Sequence, residues 1–451
     1  MTSALRDIPS VEGILSDPIV EACIAQYGRS LTLQAVRTCL ADLRGMKRDN
    51  PSGEISMDGI RKTVIHWLQD QVHVSIRPVI NASGVLIHTN LGRAPLSQEA
   101  MQAIQAIAGS YSNLEYDLSV GKRGKRANAV EQKLIALTGA EDAYVVNNNA
   151  SAVLLVLAAL ARRKRVVISR TQLVEIGGGF RIPEVLQQSG AKLYEIGTTN
   201  RVHLQDYAEA LEQPNAVILR AHHSNFKIIG FTTEPALSEL VQLAAKDGHL
   251  VIDDLGSGAV LPTEIYASAH EPMVQESIQA GADVVCFSGD KLFGGPQAGI
   301  LVGKKAALQK IKKHPFARAV RADKLCLAAL EATITHYLKE EALVKIPLWK
   351  MLSLSLEDCE SRVKHWQHVL GRGEMLSGQS TIGGGSMPEE TLATCLFALK
   401  VPNINAFQKT LRALEVPIIA RVLQDQIVFD PRTVLAEQEI IFLDEMKTLL
   451  G

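Results

Sequence analysis

Residues 282–305 read ADVVCFSGDKLFGGPQAGILVGKK. Two short apolar runs, ADVVCFS and GILVGK, flank a turn in which Lys291 stands between an acid and a glycine-rich segment. Runs of that length bounded by glycine predict buried strands. The texture repeats upstream. DAYVVN precedes SAVLLVLAALARR, RVVIS precedes EIGGGFRIPEVLQQSG, and KLYEI precedes a helical pattern near LQDYAEALEQ. AVILRA, SELVQLAAKDG, LVIDDLGSG and MVQESIQAGA then lead to DVVCFSG. Such alternation predicts an α/β fold with a mainly parallel sheet covered by helices on both faces. Sheets of this kind bind ligands beyond the carboxyl ends of their strands, where Lys291 falls.

A chain of 451 residues is too long for one compact core, so two or three domains are expected. Residues 1–75 read as a helical domain, with apolar residues at three- and four-residue spacing in PIVEACIAQYGRSLTLQAVRTCLADLRGMK and again in ISMDGIRKTVIHWLQDQV. Residues 76–335 carry the strand–helix alternation. Residues 336–451 read as a smaller α+β domain with LATCLFAL and QIVFD as strands; the long helical pattern KLCLAALEATITHYLKEEALVKI leads into it.

Hydrophobic and charged contents of 47% and 21% are those of an ordinary globular protein. A formal net charge of -1 provides no overall field for nucleic acid, so any such partner must be met by local patches. The six cysteines include no C-x-x-C pair and predict reduced thiols in a reducing compartment. MTSALRDIPSVEG lacks the basic-then-apolar pattern of a signal peptide. The longest apolar run, ASAVLLVLAALA, falls short of the roughly 20 residues a membrane span requires. A cytoplasmic chain without membrane spans is expected.

Lys291 is either a solvated loop lysine or a nucleophile, since a lysine amine of lowered pKa forms Schiff bases with carbonyls such as that of pyridoxal phosphate. VVNNNASAVLLVLAAL sets Asn148 and Asn149 between a strand and a helix, as ordinary caps or as a phosphate cradle on the helix N-terminus. Ser288 offers a hydroxyl from the other side. HLVIDDLGSG ends a buried strand with two acids. Asp254 is the better partner for a pyridine nitrogen, with Asp253 on the opposite face by strand alternation, and the choice stays open by one residue. Asparagine-capped helix, strand-end acid and later lysine follow the chain order of large-fold pyridoxal phosphate enzymes.

Arginines supply a further pattern: Arg93 in HTNLGRAPLS, Arg123 and Arg126 in GKRGKRAN, and Arg318 and Arg321 in HPFARAVRADK. The last two are expected one turn apart on one helix face. Guanidinium groups recognise oxyanions through a forked, permanent charge. Rival motifs fail. SGDK satisfies S-x-x-K, but K-T-G and S-D-N are absent, as are the phosphate-binding signatures G-x-x-x-x-G-K-[ST] and strand-linked G-x-G-x-x-G. Neither H-E-x-x-H nor a cysteine-rich pattern occurs, so no metal ligand is assigned.

RPVINASGVLIHTNLGRAPLS, LEYDLSVGKRGKR, GAEDAYVVNNNASAVLL, LVEIGGGFRIPEV, EIGTTNRVHLQDY, DLGSG, FSGDKLFGGPQAGILVGKK and RADKLCLAALEAT closely resemble the bacterial selenocysteine synthase family. The likeness runs from about residue 8 to the end and is dense between Arg77 and Thr335. It implies a pyridoxal phosphate enzyme of the aspartate aminotransferase fold type. The family converts L-seryl-tRNA(Sec) to L-selenocysteinyl-tRNA(Sec) with selenophosphate, by β-elimination to an aminoacrylyl-tRNA and selenium addition. Carried over by motif, Lys291 is the Schiff-base lysine and Asp290 supports catalysis. Ser151 joins the phosphate contacts, and His222 in AHHSNF matches the family's histidine. Arg93, Arg126, Arg318 and Arg321 match the arginines that receive the donor anion. The resemblance also implies tRNA binding by the helical N-terminal domain, and a homo-oligomeric ring of dimers, a decamer. The alternative is a pyridoxal phosphate lyase of a small free amino acid or amino sugar, which would lack the N-terminal domain and break the arginine set.

Overall fold

The computed structural model describes residues 8–49, 55–177, 179–267 and 269–451. The chain divides into two compact units, Met1–Pro78 and Val79–Gly451.

The first unit contains helices Val11–Leu15, Pro18–Tyr27, Arg29–Asp49 and Met57–Val72. The side chains of Ser10, Asp17 and Ser56 accept hydrogen bonds from first-turn amides, as favoured N-caps do. The apolar pattern read as continuous from Pro18 breaks at Gly28, whose φ of 84° ends one helix before the next starts. Buried Val36 and Leu40 on one helix, and Ile60, Val64 and Leu68 on another, share the core with Ile14 and Val20. Their four-residue spacing puts each set on one face.

The second unit is built on seven strands: β1 Asp142–Val146, β2 Arg165–Ser169, β3 Lys192–Ile196, β4 Ala216–Ala221, β5 Leu250–Gly256, β6 Val284–Ser288 and β7 Gly299–Gly303. Their order is β1-β7-β6-β5-β4-β2-β3. All neighbours pair in parallel except β7, which is antiparallel to both β6 and β1. The sheet is thus mixed. β6 and β7 are buried at every position, as central strands with both faces covered must be. Because β6 and β7 run in opposite directions, a single loop joins them, and it carries Lys291 at the carboxyl end of β6. Helix Asn149–Leu160 is apolar on nearly every face and packs between the sheet and helices Ile182–Ser189 and Lys305–Lys313.

A second, five-stranded sheet comprises Arg421–Leu423, Gln426–Phe429, Thr391–Leu399, Glu374–Gly383 and Val85–Ile87. Its first-made strand comes from the far end of the unit: Thr381 and Gly383 pair in parallel with Val85 and Ile87. Ile80 and Asn81 likewise pair with Ile418 and Ile419. Trp366, Phe397, Phe429 and Phe442 meet in edge and tilted ring contacts beneath this sheet.

Three local expectations change. EIGGGFRIPEVLQQSG is helical only over Ile182–Ser189, with Pro183 in the first turn, because Glu175–Ile176 and Phe180–Arg181 form a small hairpin before it. The long helix after Asp323 stops at Leu338, and Glu340 in the left-handed region (φ 57°) separates it from a short helix Ala342–Lys345. Arg318 and Arg321 do not share a helix face. That helix ends at Ala319, the Val320 carbonyl accepts from Asn147 N–H at 2.8 Å, and Arg321 bridges Val146 in extended backbone. Pairing with the end of β1 wins over one more helical turn. Among the described residues no helix is long and apolar enough to cross a membrane. All six cysteines are free thiols.

Candidate active site

Lys291 is 5% exposed, and its Nζ donates to the Gly385 carbonyl at 3.1 Å. Burial pushes its ammonium pKa down, against the opposing pull of the Asp254 charge. Two glycines keep room around the amine. A Cβ on Gly385 (φ 76°) would stand 2.7 Å from Nζ, and one on Gly256 (φ 66°) 3.6 Å. Only glycine combines this closeness with the left-handed backbone.

The two acids ending β5 diverge. Asp253 accepts from Arg220 Nη1 at 3.0 Å and Ser277 Oγ at 2.6 Å, on the side away from the asparagines. Asp254 accepts from Asn149 Nδ2 at 2.8 Å. Strand alternation separates the neighbours, as side chains on a strand must. Burial raises the Asp254 carboxyl to about 6, with the Asn149 bond and the Lys291 charge opposing. The His222 amide donates to the Asp254 carbonyl at 2.9 Å. Its Nε2 lies 3.2 Å from Glu271 Oε1, an ion-pair distance, but the alignment is poor and neither atom has a hydrogen bond.

Asn148 caps helix Asn149–Leu160, its Oδ1 accepting from the Ser151 amide at 2.8 Å. Ser288 pairs with Gly299, which pairs with Val146, so β6 and β1 finish level, with Ser288 and the asparagines at the same sheet end. The arginines divide into two groups. Arg93, in the left-handed region (φ 64°), sends Nη1 to Asp290 Oδ2 at 2.7 Å, beside Lys291. Arg126 Nη1 reaches Glu115 Oε1 at 3.2 Å and Arg321 Nη1 reaches the same oxygen at 3.4 Å; Arg123 Nη2 holds Oε2 at 2.9 Å. Arg126 Nη2 also donates to the Ala322 carbonyl at 2.6 Å. Arg318 is exposed and has no partner among the described residues.

The fold therefore gathers Lys291, Asp290 and Arg93 around one turn, Asp254, Asn149 and His222 at the end of β5, and Asn148 with Ser151 at the adjoining helix start. Arg126 and Arg321 meet on Glu115, while Arg318 stands apart. Sequence reasoning missed Ser224, Glu271, Glu115 and the Gly385–Ser386 turn. Ser224 is buried, with its Oγ facing the space above Gly256. Only the glycine run IGGGS and the position of Ser224 two residues after His222 hinted at them.

These residues fit pyridoxal phosphate. A buried lysine amine with glycines on two sides suits an aldehyde cofactor, and a capped helix start suits its phosphate. Asn149 Oδ1, His222 Nε2 and Ser386 Oγ are buried without a hydrogen-bond partner and belong to, or adjoin, residues in contact with Asp254 or Lys291.

Residues 79–435 match the family model described as L-seryl-tRNA selenium transferase, and residues 5–44 match the one described as selenocysteine synthase N terminal. An L-seryl-tRNA(Sec) selenium transferase of Geotalea daltonii is 43% identical over 445 residues, covering 96% of each chain. Those of Clostridium perfringens and Carboxydothermus hydrogenoformans are 43% and 42% identical, covering 97% and 99% of this chain and 97% of each relative. Among solved structures, D-glucosaminate-6-phosphate ammonia-lyase superposes with a TM-score of 0.58 at 18% identity, over 85% of this chain and 98% of that one. At that identity the likeness is one of fold. The fold is the aspartate aminotransferase type that the sequence led us to expect.

Proposed function

The chain belongs to the L-seryl-tRNA(Sec) selenium transferase family, and on that premise we propose that it converts L-seryl-tRNA(Sec) to L-selenocysteinyl-tRNA(Sec) with selenophosphate as donor. The likeness over nearly the whole chain, N-terminal segment included, carries this reading. Pyridoxal phosphate, when bound, supplies an aldehyde that takes up an amine and a ring that withdraws electrons from the adjacent carbon.

The chain's own groups then have separable tasks. Lys291 would anchor the cofactor through Nζ and, as a free amine, would take the α-proton there; the burial that lowers its pKa favours the neutral base this needs. Asp254, oriented by Asn149, would pair with the cofactor's ring nitrogen and favour its protonated form. Asn148 and Ser151 at the helix start, with Ser288, would hold the cofactor's phosphate. Arg93 steadies Asp290 beside the base. Arg93, Arg126, Arg318 and Arg321 are assigned to the donor side, where guanidinium groups would offset the anion's charge. Because the serine carboxyl is esterified to tRNA, no arginine is needed for a free carboxylate. The N-terminal helical unit is assigned to holding the tRNA, the working form to a homo-oligomeric ring of dimers, and the compartment to the cytoplasm.

The test is incubation of the purified protein with pyridoxal phosphate, seryl-tRNA(Sec) and selenophosphate. Selenocysteinyl-tRNA(Sec) is expected to form, and Lys291→Ala to abolish it. Turnover of a free amino acid or amino sugar with none of the tRNA ester would overturn the proposal.

A further inference from the structure

Glu115 occupies an unusual position for a surface carboxylate. Three guanidinium groups, from Arg123, Arg126 and Arg321, converge on its two oxygens at 2.9, 3.2 and 3.4 Å. Arg126 holds a further buried nitrogen, Nε, that has no hydrogen-bond partner among the described residues. The guanidinium charges, that of Arg126 first, hold the Glu115 carboxyl below the usual carboxylate range. The cluster also lies next to the cofactor end of the sheet. Arg321 bridges Val146, and the neighbouring Val320 carbonyl accepts from Asn147, one residue before the Asn148 cap.

The carrier of Glu115 is slight. It precedes a hairpin of only two rungs, Tyr116–Asp117 with Lys122–Arg123, whose Leu118 and Val120 are 75% and 63% exposed. An isolated hairpin of this size has little stability of its own, and segments of few buried contacts open at small cost. The Glu115 carbonyl accepts from Gly124 N–H at 3.0 Å, while the bonds that fix its carboxylate are those to the arginines.

We propose that Glu115 is an internal stand-in for the donor anion: its carboxylate neutralises the Arg126–Arg321 pair until a more highly charged oxyanion displaces it. The proposal rests on the selenium-donor reading above and adds the residue that sets the site's selectivity. A carboxylate offers one negative charge and two oxygens, whereas a phosphate-type anion offers about two charges and three oxygens. Such an anion can outcompete Glu115 for the same forks. A monovalent ion such as acetate or chloride cannot. Glu115 is then a filter against the abundant small anions, and its cost is weaker donor binding.

The experiment uses the full chain loaded with pyridoxal phosphate and compares it with Glu115→Gln and Glu115→Ala. Inorganic phosphate is titrated calorimetrically, with acetate as a second probe, and donor KM and kcat are measured on seryl-tRNA(Sec). Both variants should bind phosphate about tenfold more tightly than the parent, the factor that about 1.4 kcal/mol corresponds to, and should now respond to acetate. Donor KM should fall by a similar factor at unchanged kcat. Adding Arg126→Ala to Glu115→Gln should remove the gain. Unchanged or weaker phosphate binding in both variants would overturn the proposal, making Glu115 a brace that orders the arginines. The phosphate titration needs no tRNA, so it stands or falls separately from the overall reaction.

Discussion

Asp254 offers a sharp test because its environment opposes its own ionisation. The carboxyl is buried at the end of β5, and burial raises it from 3.8 to about 6. Between those values the folded chain holds a proton that the unfolded chain has released, so stability falls as pH rises through the window. About two units at about 1.4 kcal/mol each correspond to about 3 kcal/mol lost at pH 8 relative to strong acid. Asp254→Asn keeps the shape, and its carbonyl can still accept from Asn149 Nδ2, but it has no charge to desolvate. The variant apoprotein should therefore gain on the parent with pH. About half of the 3 kcal/mol develops between pH 5 and pH 8, and the whole is worth about 4 °C in melting temperature for a unit the size of Val79–Gly451. Calorimetry of both proteins across that range reads it directly, with cofactor loading measured in parallel and expected to weaken in the variant. A melting difference that is flat from pH 5 to pH 8, or that favours the parent increasingly at high pH, would refute the claim that desolvation dominates this site.

Gly385→Ala should cut cofactor retention after gel filtration, because a Cβ 2.7 Å from Lys291 Nζ displaces the amine and a left-handed alanine adds about 1–2 kcal/mol of strain; parent-like retention and turnover would show that the turn gives way. Asp430, fully buried, accepts from Ser380 Oγ at 2.7 Å, Thr394 Oγ1 at 2.9 Å and Arg432 N at 3.1 Å. Asp430→Ala strands these donors and should lower stability in urea by about 3 kcal/mol or more, without any direct effect on the chemistry.

The central sheet was legible because its strands are apolar runs punctuated by glycine, and burial on both faces requires that pattern. The strand-end positions of Lys291, Asp254 and Asn148 were legible for the same reason, since the punctuation changes there. The companions were not. Glu115 meets Arg123 and Arg126 through a local turn but Arg321 only across 206 residues, and Glu271 meets His222 only through the fold, so no sequence motif marks either acid. Glu374–Gly383 was opaque because a strand containing Gly378 and several small polar residues shows no period of its own; partners on both sides make it a strand. Arg321 was misplaced because helical spacing cannot anticipate a competing backbone partner at Val146.

The pairing of Val85–Ile87 with Thr381–Gly383, and of Ile80–Asn81 with Ile418–Ile419, has a consequence for biogenesis. On the ribosome, the early segments must wait for about three hundred residues to be made, roughly 15–60 s at 5–20 residues per second. For that interval the nascent chain shows sticky backbone with no mate. Translation speed and chaperone occupancy should therefore govern the yield of this protein, and nonsense truncations before Ile418 should leave it insoluble rather than merely shortened.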